Sequence, residues 1–170
     1  MEIQRLAICA IALLGASAAI AGPVGSGCDV QNIKSIGDLQ SALSLKAVKI
    51  INLAASRRGD TDAGLRGLVT RSATFSLGSG DVGQPIGVGV AGARALAKEM
   101  KADTFRYLGW DNIPTGIKDA CAIHKVDVEF TDTHGKNVYP VTFTFRAGRL
   151  IAAEGWSRSF ETGPVRPFSN

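Results

Sequence analysis

Aromatic side chains are missing from the first 74 residues: all eleven stand at Phe75 or later, so the early chain has only aliphatic side chains for a core. Histidine is nearly absent, with His124 and His134 alone, and Cys28 and Cys121 stand 93 positions apart, which makes a poor metal site, so we expect no metal centre. No Gly-x-Ser-x-Gly, His-Glu-x-x-His or phosphate-loop sequence occurs, which removes the corresponding hydrolase, metalloprotease and nucleotide-hydrolysing readings. The net charge is +4, yet no block of five or six like charges exists and Arg57-Arg58 is the densest basic pair. Nucleic-acid binding calls for a clustered basic face, so no nucleic acid is expected as a partner.

What is present begins with a leader. Arg5 precedes the apolar run "LAICAIALLGASAAIA", and Ala19-Ile20-Ala21 supplies a small-x-small cleavage site before Gly22. This is the pattern of a secretory signal peptide over residues 1–21, too short for a comfortable membrane span. No second apolar run approaches that length, so no membrane association is expected once the leader is removed. Residues 22–34 read as a flexible leader, 35–161 as one domain, and the proline-bearing 162–170 as a tail. Export, to a periplasm or the extracellular space, carries the chain into an oxidising compartment. The two cysteines that remain, Cys28 and Cys121, are then expected to form a disulfide.

The pattern of elements is legible next. Ser35 and Asp38 open a helix whose stripe runs Ile36, Leu39, Leu43, Ala47, Ile50 and Leu53, with Gly59 as its stop. Asp60-Thr61 opens a short helix with Leu65 and Leu68, and "RSATFSL" alternates as a strand. The glycine-rich "GSGDVGQPIGVGVAG" reads as a flexible loop before a third helix over 90–101. Strands are expected over 104–110, 122–131, 138–146 and 150–160, with "TDTHGKN" turning a hairpin between the second and third. Helices gathered first and antiparallel strands afterward predict an α+β domain, its helices packed on one face of a curved sheet.

The segments "AASRRGDTDAGLRGLVTRSATFSL" (54–77) and "VDVEFTDTHGKNVYPVTFTFRAGRLIAAEGW" (126–156) resemble the superfamily of nuclear transport factor 2 and the SnoaL-type polyketide cyclases. The resemblance implies a cone, with a bent, mostly antiparallel sheet wrapped around the long first helix and a pocket at the open end. It also implies that the outer sheet face can serve as a homodimer interface. Within the family, ketosteroid isomerases carry a base just past the strand resembling "ATFSL" and an oxyanion-hole acid on the strand resembling "VTFTF". The matching positions here are about Leu77 and Val141, which hold no proton to give or take.

If the cone holds a ligand, strand alternation and the aromatic set nominate Phe75, Tyr107, Trp110, His124, Tyr139, Phe143, Phe145 and Trp156 as its lining. The ligand class would be a small apolar or amphipathic molecule. His124 and Asp111 are the weak candidates for acid–base chemistry, each with a simpler structural role open to it: a satisfied core histidine and a turn-forming aspartate. "GSGDVG" and "GVGVAG" both fit G-x-G-x-x-G, and the second opens a helix, but only "GQPI" stands before it where a buried strand is required, and we expect no cofactor. Three functions stay open: a ligand-binding domain, an isomerase, dehydratase or cyclase of the same fold, and a dimerising interaction domain.

Overall fold

A computed structural model describes residues 27–56, 61–79, 82–108 and 117–160. Trp110, Asp111, the leader over 1–21 and the tail over 162–170 lie outside the described residues. The first helix, α1 (Ile36–Ala55), starts where Ser35 accepts a hydrogen bond from the Asp38 amide at 3.5 Å. Leu39, Leu43, Ala47, Ile50 and Ala54 recur every three or four residues and are all buried. The helix ends at Ala55, before the expected stop at Gly59, and Ser56 closes the last turn onto the Asn52 carbonyl at 3.2 Å. A short α2 (Thr61–Leu68) buries Leu65 and leads directly into β1 (Val69–Ser79).

The glycine-rich stretch departs from expectation. It forms an edge strand, β2 (Val82–Val88), antiparallel to β1, and not a loop. Small residues permit this pairing: a Cβ on Gly78 would fall 2.5 Å from the Trp156 ring. Pro85, without an amide hydrogen, is tolerated because the strand is at an edge. The next helix, α3 (Gly89–Met100), starts at a glycine for a physical reason. Gly89 has a φ of +59°, and a Cβ there would meet the Arg71 carbonyl oxygen at 2.8 Å, which leaves no room for a side chain. After α3 come β3 (Thr104–Tyr107), β4 (Ile123–Asp132), β5 (Asn137–Arg146) and β6 (Arg149–Ser159).

The six strands form one sheet in the order β2-β1-β6-β5-β4-β3, antiparallel throughout except for the parallel β1–β6 pair. Between β1 and β6 the register breaks sharply: Val69 pairs with Leu150, and the next pair is Thr74 with Ala152. β1 therefore bulges over residues 70–73, bending the sheet. Val126, Val128, Phe130, Tyr139, Val141, Phe143 and Phe145 alternate onto the face covered by α1 and α3, each at most 6% exposed. On the other face stand Asp127, which accepts from Thr142 at 2.6 Å, and Glu129, paired with Arg106 at 2.6 Å.

The expected disulfide is formed: Cys28 and Cys121 are bonded, with Cα atoms 5.7 Å apart. It pins the segment before α1 to the segment before β4. Residues 28–34, read from sequence as part of a flexible leader, are anchored further. Val30 is 2% exposed in the core, and Asp29 pairs with Lys46 on α1 at 2.6 Å. Lys46 also donates to the Gly148 carbonyl at 3.0 Å, in the two-residue turn joining β5 to β6. Ala147 and Gly148 there have φ of +51° and +77°, the mirror-image turn that suits the twist of paired strands. No helix among the described residues is long and apolar enough to cross a membrane.

Candidate functional site

Sheet register decides which of the nominated residues share a face. Phe75 pairs with Ala153, Phe143 with Ala153 and Val126, and Phe130 with both Tyr139 and Phe105. These side chains all point toward the helices. Continuing outward, Tyr107 pairs with Val128 and joins the same face. An unbroken aromatic row results: Tyr107 meets Phe105 edge-on with centroids 5.6 Å apart, Phe105 lies 6.5 Å from Phe130, and Phe130 meets Phe143 edge-on at 6.0 Å.

Burial changes steeply along this row. Phe143 is 0% exposed and Phe130 2%, whereas Phe105 is 43% and Tyr107 46% exposed. Phe75 and Phe145, each 1% exposed, are packed into the core as Phe143 is. The accessible aromatic surface is at the β3 end. Phe105 was not among the residues nominated from sequence, although its alternation with Tyr107 in "TFRY" carried the signal.

Trp156 is on the other side. It neighbours Gly78 across the β1–β6 pair and covers the glycines of the β1–β2 hairpin, facing away from Tyr139 and Phe143. His124 is opposite Phe145, half-buried, with Nε2 2.9 Å from the Asp119 carbonyl oxygen. A carbonyl only accepts, so Nε2 carries the proton in this contact and the ring has one satisfied hydrogen bond. Tyr139 is 6% exposed, and burial raises its hydroxyl above the ordinary tyrosine value; a hydrogen bond with Ser157 works the other way, and the Asp132 and Glu99 carboxylates add to the rise. Its hydroxyl is therefore a neutral hydrogen-bonding group.

Asp103, Asp132 and His134 bring three ligand-type atoms within 4.8 Å of one another. One oxygen of each aspartate is already engaged. Asp103 accepts from the Thr133 amide at 3.2 Å, from the Thr133 hydroxyl and from His134 at 3.1 Å, while Asp132 accepts from the Gly135 amide at 2.7 Å. These bonds, led by the Thr133 hydroxyl, hold the Asp103 carboxyl below its ordinary value. The group knits the β4–β5 turn.

The glycine fingerprints also find a structural role. β2 does precede α3, but it is antiparallel to β1, and the strand after α3 is at the opposite edge of the sheet. A dinucleotide fold needs a parallel pair flanking that helix. A Cβ on Gly92 would lie 2.5 Å from the Phe75 ring, so this glycine lets α3 sit close on β1.

No family model matches the chain, and no curated protein matches it. Solved structures do. An NTF-2 like protein of unknown function from Silicibacter pomeroyi is 11% identical, covering 73% of this chain and 98% of its own, with a TM-score of 0.47. A cystatin-like fold protein from Burkholderia xenovorans is 13% identical over 76% of this chain and 98% of its own, with a TM-score of 0.46. A phenazine biosynthesis-related protein from Pseudomonas aeruginosa is 13% identical over 72% and 83%, with a TM-score of 0.37. Such likenesses concern fold and transfer no activity. By its own topology, three helices against one face of a six-stranded, mostly antiparallel sheet, the chain has the α+β architecture expected of a nuclear transport factor 2-like cone.

Proposed function

We propose that this chain is an exported domain that binds a small apolar or amphipathic molecule against the outer end of the aromatic row, without chemistry of its own. One observation carries the reading: Phe105 and Tyr107 are 43% and 46% exposed on the same sheet face whose next rings, Phe130 and Phe143, are closed off. Two adjoining exposed aromatics on a core-facing side offer an apolar surface to a ligand, with the Tyr107 hydroxyl to orient it. The absence of proton-transfer groups at Leu77 and Val141 supports binding over isomerase chemistry. The disulfide and the leader sequence support export.

Fluorescence titration of the folded protein with an uncharged apolar dye tests the proposal. Saturable binding is expected, weakened about tenfold in Phe105→Ser, which would correspond to about 1.4 kcal/mol. Thr144→Ala, on the opposite face, is expected to bind as wild type does. Equal binding by Phe105→Ser, or none by wild type, refutes the reading.

A further inference from the structure

At the other edge of the sheet, the β1 bulge, α2 and the start of α3 enclose a cleft of about 900 Å³. Three arginines far apart in sequence, Arg66, Arg71 and Arg149, converge on it. The acidic residue in its lining, Asp62, is already occupied by Arg94, which approaches a carboxylate oxygen to 2.5 Å with Nη2 and 3.1 Å with Nε. The Arg94 contact, first among the causes, lowers the Asp62 carboxyl below its ordinary value. The lining thus has a surplus of positive charge that the linear sequence, with its scattered basic residues, does not display.

Three further features point the same way. The side-chain atoms Thr70 Oγ1 and Arg149 Nε, both buried and both in residues lining the cleft, have no hydrogen-bond partner among the described residues. Buried polar atoms are nearly always paired, so two residues that line one cleft and carry an unpaired donor beneath its surface suit a ligand that brings acceptor oxygens. Arg149 is held in place meanwhile, because its Nη2 donates to the Arg66 and Val69 carbonyls at 2.9 and 3.1 Å. The first turn of α3 also borders the cleft through Gly89 and Val90; it has no acidic residue, and Val88 at its N-cap offers no side-chain acceptor. The positive end of that helix is therefore uncompensated by its own residues. Val69, Val88 and Val90 form an apolar part of the wall, with Val88 55% exposed.

We infer that this cleft binds a small organic acid, its carboxylate toward Arg71, Arg149 and the α3 terminus and its hydrocarbon body against the valines. The site is separate from the aromatic row: β1 and β2 close one edge of the sheet and β3 the other. The bulge over residues 70–73 gives the site its shape by releasing Thr70 and Arg71 from the β6 ladder.

Hexanoate, 1-hexanol and inorganic phosphate, each titrated against the isotope-labelled folded protein and followed by amide chemical shifts, separate the contributions. Hexanoate is expected to saturate with shifts at Thr70, Arg71, Gly89 and Val90, and to bind at least about tenfold more tightly than either hexanol or phosphate. Arg71 is exposed and its side chain makes no hydrogen bond or ion pair among the described residues, so Arg71→Gln keeps the fold while weakening hexanoate about tenfold. Arg149→Lys serves as a second variant, checked for folding because Arg149 also holds the end of α2. Hexanol binding as tightly as hexanoate would remove the carboxylate from the account, and phosphate binding as tightly would remove the apolar body; either result overturns the inference. So would an absence of shifts at these amides, or unchanged affinity in Arg71→Gln.

Discussion

Single residues already separate packed rings from exposed ones. Phe143, at 0% exposure and edge-on to Phe130, is a packed core ring. Phe143→Ala is expected to cost the full ~3–5 kcal/mol of a buried aromatic. Chemical denaturation checks this, and a much smaller loss would mean that Phe143 borders open space. Tyr139 makes a second case. Its value is raised by burial, so its contribution to stability is fully present below the ordinary tyrosine value near 10 and is lost as pH climbs through the folded value. Thermal unfolding is therefore expected to show an alkaline decline that Tyr139→Phe reduces; an identical decline in the variant would place its origin elsewhere. The alternation of "VYPVTFTFR" made the burial of Phe143 and Tyr139 legible in sequence. It could not tell a packed ring from a pocket wall, because that depends on which helix lies across it.

Among the elements, junctions carry much of the specification. Arg94 on α3 donates to the Ala54 and Ser56 carbonyls at the end of α1, at 3.2 and 3.1 Å, and to Thr61 and Asp62 at the start of α2. Because the Asp62 and Asp103 carboxyls are both held low, their contributions are present above the ordinary carboxylate value of 3.8 and are lost as pH falls through the folded values. Stability followed by circular dichroism is expected to fall as acid is added below that value, with a shallower fall in Asp62→Asn. An unaltered slope would show that the Arg94 contact contributes nothing in solution. The helices and late strands were readable from their periodicities, and Ser35 marked the start of α1 correctly. The edge strand β2 was not, because its glycines and Pro85 carry none of the alternation that announces a strand, and its place is set by Trp156 covering Gly78.

For the whole molecule, the crosslink and the leader belong to one expectation. Joining residues 93 apart should stabilise by about 4–5 kcal/mol in the chain-entropy model. Replacing Cys28 and Cys121 by serine is thus expected to lower the denaturation midpoint strongly, and an unchanged midpoint would show that the Val30 and Asp29 anchors suffice. The parallel β1–β6 pair and the arginine cleft beside it arise only when distant segments meet, so neither was visible along the chain. Whether the exposed end of the aromatic row is the ligand surface is tested most directly by photolabelling the folded protein with an uncharged alkyl diazirine, followed by peptide mapping. Labels are expected to concentrate on Phe105, Tyr107 and their β4 neighbours. Labels gathered around Trp156 and Thr144 on the opposite face, or spread without preference, would contradict that assignment.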